Sequence, residues 1–150
     1  MSEQQPVFNI EKIYVKDLSL EVPNAPQVFM SQEAPQLEVQ LSQNVQSLDG
    51  ALFEVTLSVT VTAKAGEKTV FLVEAAQAGI FQIRNVPQTE LDPILGMVCP
   101  NVLFPYARET ISDTVNRAGF PPVLLAPVNF EALYQQRMAQ QESPKIEIAH

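Results

Sequence analysis

Leu52-Phe-Glu-Val-Thr-Leu-Ser-Val-Thr-Val-Thr-Ala-Lys64 alternates apolar and polar side chains without a break. Phe53, Val55, Leu57, Val59, Val61 and Ala63 point one way, and Glu54, Thr56, Ser58, Thr60 and Thr62 point the other. Neighbouring side chains of a strand project from opposite faces, so this period of two predicts a strand with one buried and one wetter face. Residues 36–46 repeat the pattern, with Leu37, Val39, Leu41 and Val45 opposite Glu38, Gln40, Ser42 and Asn44. Between residues 7 and 22, Tyr14, Leu18, Leu20 and Val22 oppose Asp17, Ser19 and Glu21. The two ends of that stretch disagree in phase, which predicts a bulge near residues 11–13.

Turn sequences separate these runs at Pro23-Asn-Ala-Pro26, Asp49-Gly50 and Ala65-Gly-Glu-Lys68. The last is short enough for a hairpin, so the third and fourth strands are expected to be antiparallel neighbours. One-sided alternation favours an antiparallel sheet with one solvated face. The fourth strand departs from this. Val70, Leu72, Ala76 and Ile80 share a face with Glu74, while Phe71, Val73, Ala75 and Phe81 occupy the other. A strand apolar on both faces calls for cover on both.

After Gly96 the period changes to 3.6. Phe104, Ala107, Ile111, Val115 and Ala118 fall on one helical stripe, away from Arg108, Glu109, Ser112, Asp113, Asn116 and Arg117. Pro105 fits the first turn of a helix, which places the start near Asn101. Gly119 followed by Pro121-Pro122 supplies the stop. Asn129 is the expected N-cap of a second helix carrying Phe130, Leu133, Tyr134 and Met138 on one side. Four strands followed by two helices predict an α+β domain over residues 1–140, with residues 141–150 a flexible polar tail.

Between the two helices lies Phe120-Pro-Pro-Val-Leu-Leu-Ala-Pro-Val-Asn-Phe130. Its three prolines bar both a helix and an inner strand. Each of Phe120, Val123, Leu124, Leu125, Val128 and Phe130 left in water forgoes roughly 1.5–3 kcal/mol. Together that approaches about 10 kcal/mol, as much as a domain's whole stability. The segment must therefore be covered by its own core, by another subunit or by a bound partner.

The composition narrows the function. The chain has 150 residues, a net charge of −8 and nine Lys and Arg scattered along it, which excludes nucleic acid as the expected partner. The single cysteine rules out an internal disulfide and suits a reducing compartment. The first residues lack a signal peptide's basic and apolar regions, and no stretch nears the roughly 18 apolar residues of a span. A soluble cytoplasmic protein without membrane insertion is expected.

Little here supports catalysis. The only histidine is the terminal His150, where no rigid geometry holds it. Cys99 has no histidine partner, no His/Cys/carboxylate cluster has metal-ligand spacing, and no phosphate-binding glycine motif occurs. Glu90 with Asp92, or Glu109 with Asp113, has the spacing of a solvated helix face. No cofactor and no metal are expected, and the protein is not expected to be an enzyme.

Two long motifs carry a resemblance. Gly96-x-x-Cys-Pro-Asn-Val-Leu-Phe-Pro-Tyr-Ala-Arg-Glu109 and Gly119-Phe-Pro-Pro-Val-Leu-Leu-Ala-Pro-Val-Asn-Phe-Glu-Ala-Leu133 resemble the SecB export-chaperone family. So do Ile13-Tyr-Val-Lys-Asp-Leu-Ser-Leu-Glu-Val-Pro-Asn-Ala-Pro26 and Phe71-Leu-Val-Glu-Ala-x-Gln-x-Gly-Ile-Phe81, and together they cover residues 8–138. The resemblance implies a homotetramer, a dimer of dimers, that binds unfolded precursor proteins without ATP and delivers them to the SecA translocation motor. It implies client grooves between the loop at residues 23–33 and the second helix with the proline-rich segment before it. Phe29, Met30, Phe120, Leu124, Phe130 and Tyr134 are the expected groove residues. It implies SecA recognition on an acidic sheet face, at positions matching Asp17, Glu21, Leu72 and Glu74. Asp17 and Glu21 share one face of their strand, as Leu72 and Glu74 do of theirs. The stripe Phe104, Ala107, Ile111, Val115 and Ala118 is assigned to the layer between dimers. A carrier of a small apolar ligand would use the same surplus hydrophobicity, and an enzyme would work through carboxylates such as Glu109 and Asp113.

Overall fold

The computed structural model describes residues 5–142. Its elements run β1 (Val7–Glu21), β2 (Gln36–Ser47), β3 (Leu52–Ala65), β4 (Lys68–Arg84), α1 (Gln88–Pro93), α2 (Cys99–Arg117) and α3 (Phe130–Glu142). The four strands form one antiparallel sheet in the order β1-β4-β3-β2. β3 and β4 meet across a two-residue turn in which Gly66 takes φ +63, the left-handed geometry that glycine supplies at the first turn position. β1 lies beside β4, so residues 22–35 must cross from one sheet edge to the other, with a single 3₁₀ turn at Gln27–Met30 on the way.

The alternation of β3 resolves as read. Val55, Leu57, Val59, Val61 and Ala63 are fully buried beneath α2, joined by Phe71, Val73, Ala75 and Phe81 of β4. The two middle strands thus supply the core, and α2 lies across them. The outer face of β4 has no matching cover among the described residues; Leu72, Ala76 and Ile80 are half-buried there.

β1 contains two register shifts where the sequence suggested one. The first falls between Ile10 and Lys12, within the expected region; the second falls between Val15 and Asp17. Each inserts one unpaired residue and reverses the inward and outward assignment of the residues after it.

The helical part differs from expectation at its start. The chain is helical from Gln88, passes through a π-helical turn at Ile94–Val98, and enters α2 at Cys99 with Pro100 in the first turn. Pro105 is therefore inside α2, not at its entrance. Asn101 and Pro105 are both exposed, so the carbonyl left without a donor can be hydrated. The stop is as expected: Gly119 takes φ +100, its N–H bonds the Asn116 carbonyl at 3.1 Å, and the Phe120 N–H reaches Val115 at 3.3 Å. Those two bonds are a Schellman close, which needs a left-handed residue at that position.

The α2 stripe is spent inside the subunit. Ala107, Ile111 and Val115 are fully buried and Phe104 nearly so, packed on the chain's own sheet. The assignment of Phe104, Ala107, Ile111 and Val115 to a layer between subunits is corrected, because these side chains are used up in covering the apolar face of β3 and β4; Ala118 stays half-buried. Asn129 caps α3 as expected, its side-chain oxygen accepting the Ala132 N–H at 3.0 Å. The tail expected to be flexible lies outside the described residues from position 143 onward.

Candidate functional site

The proline-rich segment turns most of its apolar side chains into the core and leaves one in water. Val123, Leu125 and Phe130 are buried, and Phe120 and Val128 half-buried, while Leu124 is 82% exposed. Most of the expected surplus is thus covered by the subunit's own core. What remains outside faces the β1–β2 crossover, where Phe29 is 46% and Met30 80% exposed.

Between these two walls runs a groove of about 1010 Å³. Its crossover wall includes Val28, Phe29 and Pro35, its opposite wall is Phe120 to Leu124, and Val70, Phe71 and the β3–β4 turn complete its lining. Three rings form its spine. Phe29 stacks on Phe120 at 5.1 Å between centroids, and Phe120 meets Phe71 at the same distance. The walls are fixed by local structure. Asn24 donates to the Thr69 carbonyl at 2.9 Å, tying the crossover to β4. A Cβ at Gly119 would stand 3.0 Å from the Phe29 ring, so glycine serves both the helix close and the approach of Phe29. The prolines hold Leu124 out in water with little conformational freedom left to lose.

Of the six residues expected in the groove, Phe29, Phe120 and Leu124 line it and Met30 protrudes beside the crossover wall. Phe130 and Tyr134 do not reach it within the subunit. Phe130 sinks into the core edge-on to Phe104, at 5.8 Å, and borders a separate shallow hollow with Met97 and Val98. Tyr134 lies against Gly96, where even a Cβ would come within 2.7 Å of its ring. Arg137 completes this docking of α3 by donating to Gln43 of β2 at 3.3 Å. Sequence reasoning missed Phe71 as a groove residue; its place next to the β3–β4 turn was the available signal.

The four residues expected on the acidic face are assembled by strand register. Asp17 pairs with Ala76, Ser19 with Glu74 and Glu21 with Leu72, and directly opposed residues share a face. Asp17, Glu21, Leu72 and Glu74 therefore lie together on the outer face, away from α2. The row continues through Thr62 of β3 to Glu38 of β2.

Farther along the same outer face sits a part-buried polar cluster around the buried Glu54 that the sequence did not reveal. Lys16 Nζ donates to Glu54 Oε1 at 2.7 Å, and the Tyr14 hydroxyl donates to Glu54 Oε2. The Lys16 and Tyr14 hydrogen bonds hold the Glu54 carboxyl below the ordinary carboxylate range, against the opposing effect of its burial. Burial, reinforced by Glu54, pushes Tyr14 up to about 12. Since the folded pKa of Glu54 lies below its unfolded value, its contribution is complete above the ordinary value of 4.5 and is lost as pH falls through the lowered one. Glu54→Gln is therefore expected to destabilise by about 2 kcal/mol at neutral pH. The gap from the parent should close on acidification, as read by urea unfolding at a series of pH values.

Burial pushes the Cys99 thiol up to about 12, leaving it protonated and unreactive. Asp113 pairs with Arg117 at 3.2 Å on an exposed helix face. No described group of His, Cys, Asp or Glu has the arrangement of a metal site, and no described helix is long and apolar enough to cross a membrane.

Residues 1–141 match the family model described as preprotein translocase subunit SecB. The chain is 71% identical over 144 residues to the protein-export protein SecB of Chromobacterium violaceum, covering 94% of this chain and 96% of that one. It is 66% identical to the SecB of Methylobacillus flagellatus, covering 93% and 88%. Its fold matches that of a SecB-like chaperone of Mycobacterium tuberculosis solved in complex with an antitoxin peptide. That match has a TM-score of 0.68 at 19% identity and covers 81% of this chain and 90% of that one.

Proposed function

The chain belongs to the SecB family of export chaperones, and from that premise we propose that it holds unfolded precursor proteins without ATP and delivers them to the SecA motor. The observation that carries the client half is the groove with its ring spine and its protruding Leu124 and Met30. An unfolded chain offers extended backbone with scattered apolar and aromatic side chains. An open groove of rings and aliphatic tips takes such segments with little preference among sequences, and an adaptable Met tolerates varied shapes. Phe29, Met30, Phe120 and Leu124 are the proposed client contacts.

The acidic outer face is the proposed SecA site. Asp17, Glu21 and Glu74 surround the half-buried Leu72, so a basic partner meets attraction at long range and an apolar anchor at contact. The functional unit is a homotetramer in the cytoplasm. Its supporting observation is the inner sheet face that α2 leaves bare: Phe8, Ile10, Val15, Leu18 and Leu20 on β1, and Leu37, Val39 and Val45 on β2. Apolar area on this scale is normally buried against another surface. Several grooves per assembly then bind one client cooperatively, since occupancy of one raises the effective concentration at the next. The small-ligand reading is weaker, because drug-sized ligands are mostly enclosed by their pockets whereas this groove lies open.

The purified protein is expected to delay refolding of a denatured precursor in the absence of nucleotide. An unchanged refolding rate at stoichiometric excess would remove the client half of the proposal.

A further inference from the structure

We propose that the second bulge of β1, at Lys16, is a clamped register device that presents Asp17 and Glu21 to the partner of the acidic face. Lys16, Glu54 and Gln77 are its positioning residues. The inference rests on the reading of that face as the SecA site.

Register arithmetic carries it. Val15 is opposite Gln77 on the inner face. With no bulge, the following pairs would place Asp17 opposite Ala75 and Glu21 opposite Phe71, both buried beneath α2. The extra residue instead sets Asp17 opposite Ala76 and Glu21 opposite Leu72. It turns the carboxylates outward and Leu18 and Leu20 inward. One unpaired residue thus decides whether β1 adds Asp17 and Glu21 to the carboxylates of Glu74 and Glu38 on this face.

A bulge leaves its residue unpaired and free to slip, and here it is held from both sides. Outside, Lys16 reaches past β4 to Glu54 of β3, which also accepts the Tyr14 hydroxyl. The small side chains of Ala76 and Ala78 leave the way across β4 open. Inside, Gln77 is only 3% exposed, an unusual place for an amide, and both ends of it are used. Its Nε2 donates to the Tyr14 carbonyl at 3.1 Å, and its Oε1 accepts the Thr110 hydroxyl of α2 at 3.1 Å. The bulge is thereby fastened to β3 on one face and to the main helix on the other.

Lys16→Met separates positioning from charge, because the two predict opposite signs. Removing a positive charge beside the acidic face should tighten binding of a basic partner if charge alone matters. A loosened register should weaken it. SecA affinity is expected to fall about tenfold, with delay of client refolding unchanged and amide exchange faster at residues 17–21. The exchange variant Lys16→Glu with Glu54→Lys keeps both the net charge and the pair, and should restore affinity and protection together. Equal or tighter SecA binding by Lys16→Met, or no rescue by the exchange variant, overturns the inference. Glu74→Lys, which leaves the clamp intact, reports on the underlying reading: if it too binds SecA normally, the face assignment itself fails.

Discussion

Ile111→Asp is expected to unfold the subunit, not to release smaller folded species. Ile111 has no exposed surface and sits between Ala107 and Val115 against β3 and β4. The substitution removes a buried aliphatic side chain and puts an unpaired carboxylate in its place. Losing the side chain alone is worth about 2–5 kcal/mol, and an unpaired buried polar group adds a comparable loss. The sum reaches the whole stability of a typical domain, about 5–15 kcal/mol. Circular dichroism should show loss of native structure near room temperature. A contrasting pair, Leu18→Glu with Leu20→Glu, alters side chains that are 45% and 38% exposed on the uncovered part of β1. That variant should stay folded and sediment as smaller species. A folded, dissociated Ile111→Asp would return the α2 stripe to the interface between subunits.

The contrast shows what an apolar stripe in a sequence can and cannot say. The spacing of Phe104, Ala107, Ile111, Val115 and Ala118 specifies a helix with one buried side. Nothing in that spacing says whose surface buries it, since a sheet of the same chain and a helix of another are equally apolar. The strands were legible for a simpler reason. Period two in β3 follows from strand geometry, and the short Gly66-Glu67 turn leaves few ways to join β3 to β4. The Lys16 bulge was half legible: the broken phase of residues 7–22 announced an irregularity, but one phase break does not reveal two shifts. Helix α1 escaped the sequence reading because Pro93 and Gly96 interrupt its continuation towards α2, and the chain carries that stretch through a π-helical turn at Ile94–Val98. In the groove, the surplus of residues 120–130 was visible but its division was not. Proline fixes φ without indicating which neighbour points inward, so Leu124 and Leu125 look alike until they are placed.

Those two adjacent leucines give the second large effect. Leu124 is 82% exposed at the groove wall and Leu125 is 7% exposed in the core. Leu124→Asp removes almost nothing from the folded subunit, so its stability should stay within about 0.5 kcal/mol of the parent. Its effect should fall on the client. A leucine contact desolvated on binding is worth roughly 1.5–3 kcal/mol, about tenfold or more in affinity for each groove. A client held through several grooves loses that factor at each one, so the delay of refolding should nearly vanish. Phe29→Asp should act in the same direction, because it breaks the stack with Phe120 and leaves a charge on the opposite wall. Leu125→Asp should instead destabilise the subunit severely, for the reason that applies to Ile111. Unaltered refolding delay by a folded Leu124→Asp and Phe29→Asp double variant would place the client surface elsewhere. The shallow hollow beside Phe130 and Val98 would then be the next wall to test, since Val98 there is also 41% exposed.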